Sequence, residues 1–80
     1  MNEGILWFDD SKQVDLKHKI ERAVAYFQQK YGYPPARCFI HPSMLSDKKI
    51  KNNGVEIRTS LYVLPYHFWL EFQNKFIRDN

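Results

Sequence analysis

The eighty residues predict an α+β fold in two layers, with one amphipathic helix packed on a small mixed sheet. Three observations lead there. An apolar stripe of helical period runs from Leu16 to Tyr31. Short runs of strand-forming residues flank it, bounded by Pro, Gly and Asp. The length suits one domain, so residues 1–80 are read as a single unit in the order β-α-β, loop, β-β.

The first element is "GILWF", a short strand running into the turn chemistry of Asp9, Asp10 and Ser11. Ile5 and Trp7 share one face and Leu6 and Phe8 the other, so both faces are apolar. The helix, about 15–31, follows. Leu16, Ile20, Ala23, Val24, Phe27 and Tyr31 line one side, while Lys17, Glu21, Arg22, Gln28 and Gln29 take the wet side. Asp15 suits the N-cap, with Ser11 as the competing start. Gly32 supplies the left-handed stop, and Pro34-Pro35 forbids a restart.

Arg37 to His41 reads as a strand ended by Pro42, with a single helical turn after it. "SDKKIKNNG" reads as an exposed loop, and "VEIRT" alternates as a strand with one wet face. The segment "VLPYHFWLEF" fits two periods. Its β-preferring composition favours a strand over 66–72, with Tyr66, Phe68, Leu70 and Phe72 on one face and His67 and Trp69 on the other.

Composition narrows the function classes. A chain this short has a thin core and a net stability of about 4–12 kcal/mol. Cys38 is the lone cysteine, so no intrachain disulfide forms, and a reducing cytoplasmic setting is expected. The acid-bearing start "MNEGILWFDD" lacks the basic cluster of a signal peptide, and the uncharged run 59–70 is too short to cross a bilayer. Twelve Lys or Arg against nine Asp or Glu, spread along the chain, speak to solubility more than to a dedicated nucleic-acid surface.

Each chemical site has a plainer reading beside it. Cys38-x-x-His41 has the spacing of half a zinc motif, but residues three apart on a strand face opposite ways. Cys38 between Arg37 and Phe39-Ile40 reads as a buried, inert thiol. Asp9-Asp10 could hold magnesium, yet adjacent acids before a helix more often serve a turn. No metal and no cofactor is therefore expected.

The unusual quantity is aromatic content, 16% of the residues. A single helix covers one face of a sheet, which leaves the second face to Trp69, His67 and either Trp7 or Phe8. The leading expectation is thus a small non-enzymatic interaction module. It self-associates or docks on a larger protein through an aromatic sheet face. The second reading is a nucleic-acid-binding module with Lys48, Lys49, Lys51 and Arg58 on phosphates. In it, His41 and His67 would serve as the acid and base of a metal-free ribonuclease.

Overall fold

The computed structural model describes residues 3–45 and 54–73. Its elements are β1 (Gly4–Phe8), α1 (Leu16–Tyr31), β2 (Arg37–Ile40), a 3₁₀ turn (Pro42–Met44), β3 (Glu56–Thr59) and β4 (His67–Glu71). The four strands form one mixed sheet in the order β1-β4-β2-β3. β4 pairs antiparallel with both β1 and β2, and β2 pairs parallel with β3. One helix on one mixed sheet is the α+β arrangement that the hydrophobic pattern predicts.

Helix α1 starts and stops by local chemistry. The Asp15 carboxylate accepts the backbone N–H of His18 at 3.0 Å, satisfying one of the donors that every helix start leaves orphaned. Gly32 ends it with φ at 83° and its N–H on the Gln28 carbonyl at 2.8 Å. Between the caps, Ile20, Ala23, Val24 and Phe27 are buried. They pack with Cys38 and Ile40 of β2 and with Phe68 and Leu70 of β4. Phe27 sits amid rings, with centroids of Tyr31, Tyr33 and Phe72 at 4.8, 5.7 and 5.6 Å.

The strand faces follow from period two. Ile5, Trp7, Cys38, Ile40, Ile57, Phe68 and Leu70 belong to the helix-side core. Trp7, an expected candidate for the exposed face, lies here instead. Its ring rests against Tyr26 of α1 at 4.8 Å between centroids. A five-residue strand with apolar side chains on both faces leaves that choice open until the helix is placed.

Tyr66 also departs from the alternating pattern. It stands just outside β4 with φ at 66°, a left-handed conformation that a bulky side chain rarely adopts. Its carbonyl accepts the Asp9 N–H at 2.9 Å, and Lys19 Nζ lies 5.0 Å from its ring centroid. Tyr66 therefore closes one end of the β1–β4 pair rather than joining Phe68 and Leu70 in the core.

Candidate functional site

The side of the sheet away from α1 has two rows of cross-strand neighbours. The register aligns Leu6, Trp69, Phe39 and Arg58 in one row, and Gly4, Glu71, Arg37 and Glu56 in the next. Phe8 and His67 pair beyond the first row. The first row and its Phe8 neighbour are mostly apolar, and the second is ionic.

The ionic row is a continuous chain. Arg37 Nη1 donates to Glu71 Oε1 at 2.5 Å, and Arg37 Nε donates to Glu56 Oε1 at 3.2 Å. Arg58 Nε then donates to the other Glu56 oxygen at 2.6 Å. Glu71 is buried, so its carboxylate depends on such partners. The hydrogen bond and charge of Glu71, then those of Glu56, hold the Arg37 pKa above its ordinary value. Arg58, then Arg37, holds the Glu56 carboxyl below the usual range.

The apolar part is where side chains meet water. Leu6 and Phe8 are each 56% exposed. Beside them the β3–β4 connection folds through two turns, closed by Val63 N–H to Ser60 O at 3.3 Å and His67 N–H to Leu64 O at 3.1 Å. These turns bury Val63 but leave Tyr62 and Leu64 in solvent at 91% and 64%. Leu6, Tyr62, Val63, Leu64, His67 and Trp69 line a cleft of about 290 Å³. Phe8 leans on the His67 ring, with centroids 4.9 Å apart.

The residues singled out from the sequence are distributed as follows. Trp69, Phe8 and His67 come together on the helix-free face, and Trp7 does not join them. His41 and His67 leave the sheet at the same end, because β2 and β4 run antiparallel. Each ring is tied to its own turn. His41 Nδ1 accepts the Ser43 N–H at 3.1 Å, and His67 Nδ1 donates to the Pro65 carbonyl at 2.9 Å. Of the basic cluster, Arg58 is held by Glu56, while Lys48, Lys49 and Lys51 lie outside the described residues.

The metal and nucleophile candidates have structural partners. Asp9 accepts both the hydroxyl and the N–H of Ser11, at 2.7 and 3.0 Å, and these bonds keep its pKa low. Among the described residues, no group of three His, Cys, Asp or Glu side chains is placed to hold a metal ion. Cys38 is fully buried, and burial pushes its thiol up to about 12. Such a thiol carries almost no thiolate at neutral pH. No described helix is long and apolar enough to cross a membrane.

Leu6, Tyr62 and Leu64 are the surface residues that sequence reasoning left out of the candidate face. For Leu6 the signal was present, since it alternates in phase with Phe8. For Tyr62 and Leu64 the cue was apolar residues in a connection between strands, where polar turn residues are usual. No family model, curated protein or solved structure matches this chain.

Proposed function

We propose that this chain is a small protein-interaction module, without catalysis of its own, whose contact surface is the helix-free side of the sheet. One observation carries the reading: Leu6, Phe8, Tyr62 and Leu64 are all more than half exposed and gather around one side of the sheet. Single exposed apolar residues are ordinary, but a contiguous group of them costs solvation unless a partner covers it. The rim suits the same purpose. The Glu71-Arg37-Glu56-Arg58 chain borders the apolar row and would set orientation more than affinity. The half-buried ring of Trp69 at the floor is the residue type most often found at the centre of such contacts.

The test is a photo-crosslinking amino acid placed at position 62, in cells that express the chain. The expected result is a discrete protein adduct, either the chain itself or one larger partner, lost on Phe8→Asp. Adduct formation no greater than from a crosslinker at the exposed helix position Gln28 would overturn the reading. An RNA adduct in place of a protein one would transfer it to the nucleic-acid class.

A further inference from the structure

The sheet has two free edges among the described residues, β1 and β3, and they differ in kind. β3 carries Glu56 and Arg58, a charged edge of the sort that discourages strand addition. β1 is "GILWF", with no charged residue and no proline. Such an edge invites another strand.

The hydrogen-bond phase of β1 shows which backbone groups are available. Phe72 N–H donates to Glu3 O, and Asp9 N–H donates to Tyr66 O, each at 2.8 to 2.9 Å. These bonds bracket the β1–β4 ladder. In an antiparallel pair, bonded positions recur every second residue, so Ile5 and Trp7 are the positions bonded to β4. Gly4, Leu6 and Phe8 therefore turn their N–H and C=O groups away from the sheet. Two of these three residues also carry the most exposed side chains of the strand.

We infer that β1 is a dimerisation strand, pairing antiparallel with β1 of a second copy about a two-fold axis at Leu6. The inference rests on the reading of this side of the sheet as a contact surface, and it names the partner. The arrangement is self-complementary. Gly4, Leu6 and Phe8 face Phe8, Leu6 and Gly4 of the second copy, and about six backbone hydrogen bonds join the edges. Phe8 then lies across from a glycine, where a ring covers the exposed backbone of its neighbour. Gly4 cannot fill that space itself, because a Cβ there would collide with the Leu70 carbonyl. The two copies of Leu6 stand side by side on the helix-free face and extend its apolar row across the axis. No charged residue lies within the paired segments, and the acids Glu3 and Asp9 come opposite each other only just beyond their ends.

The test combines mass in solution with register-specific crosslinking. The wild-type mass should rise from one chain towards two as concentration increases. Leu6→Pro removes an outward N–H without taking a bond from the β1–β4 ladder. It should remain one chain throughout, with an unchanged far-ultraviolet spectrum. Should proline unfold the strand, Leu6→Lys serves the same purpose through an exposed side chain. Under mild oxidation, Leu6→Cys should give a covalent dimer. The two Cα atoms at the axis would stand about 5.5 Å apart, within disulfide reach. Phe8→Cys should not, because its copies would lie roughly 13 Å apart along the paired strands.

A wild type of one chain at the highest concentration overturns the dimer, while a larger partner captured at position 62 would still uphold the interaction module. A dimer that tolerates Leu6→Pro and Leu6→Lys but dissociates on Leu64→Ser overturns the edge in favour of the face. Crosslinking through position 8 and not through position 6 overturns the register.

Discussion

Replacing Phe27 by alanine tests whether one ring cluster under the helix holds the two layers together. Phe27 is fully buried, and three aromatic rings stand within 6 Å of its centroid. Removing a buried phenylalanine costs about 3–5 kcal/mol, from lost transfer energy and from the cavity left behind. The neighbouring rings sit on α1, on the turn after it and beside β4, so no single rotation can fill the space. A domain of this size has a total stability of about 4–12 kcal/mol. The variant should therefore lose a quarter or more of it, or fail to fold. The assay is urea unfolding followed by far-ultraviolet circular dichroism. With a slope of about 1 kcal/mol per molar urea, the midpoint should fall by roughly 3–5 M. Leu64→Ala, at an exposed turn position, should stay within about 0.5 kcal/mol of wild type. A Phe27→Ala midpoint less than about 1 M below wild type would refute the packing argument.

The remaining predictions concern charge and reactivity. Cys38 should resist thiol reagents in the native protein and react fully in denaturant, so native labelling at the rate of a free thiol would contradict its burial. Arg37→Met should destabilise the domain more than Arg37→Met combined with Glu71→Met, because the single change strands a buried carboxylate. Additive unfolding free energies for the two changes would show that the pair is not coupled. The carboxyls of Asp9, Asp15 and Glu56 are held low, by Ser11, His18 and Arg58 respectively. Their contribution is complete above the ordinary carboxylate range. It is lost as pH falls through the lowered folded-state values, because the unfolded chain takes up protons first. Asp15→Asn keeps an N-cap acceptor but removes one titrating group, so stability should decline less steeply on acidification than in wild type. An identical acid slope would contradict the assignment.

The helix was the most legible part of the sequence. Its stripe, its Asp15 cap and its Gly32 stop are all encoded within a few residues of where they act. Strand β4 was legible too, since the alternation of Phe68 and Leu70 against His67 and Trp69 survives into the sheet. The strand order was not. Whether β4 enters between β1 and β2 depends on pairings thirty or more residues apart, and no local pattern encodes them. Trp7 and Phe8 could not be assigned to faces, because neither side of β1 is polar. Tyr66 continued the alternation on paper but left it in space, because a backbone at φ 66° closes the turn before β4. The candidate surface was half legible. Phe8, His67 and Trp69 follow from period two, whereas Tyr62 and Leu64 reach the same cleft only through the turns that bury Val63.

Amide hydrogen exchange along β1 tests the account most directly, read residue by residue at low and at high protein concentration. Ile5 and Trp7 donate to β4 within one chain, so their amides should exchange slowly at both concentrations. Gly4, Leu6 and Phe8 point outward. Their amides should exchange freely when dilute and become protected when concentrated, as two β1 edges pair. Outward amides that exchange freely at every concentration, or that are protected already at the lowest, would contradict a strand edge held open for a second copy.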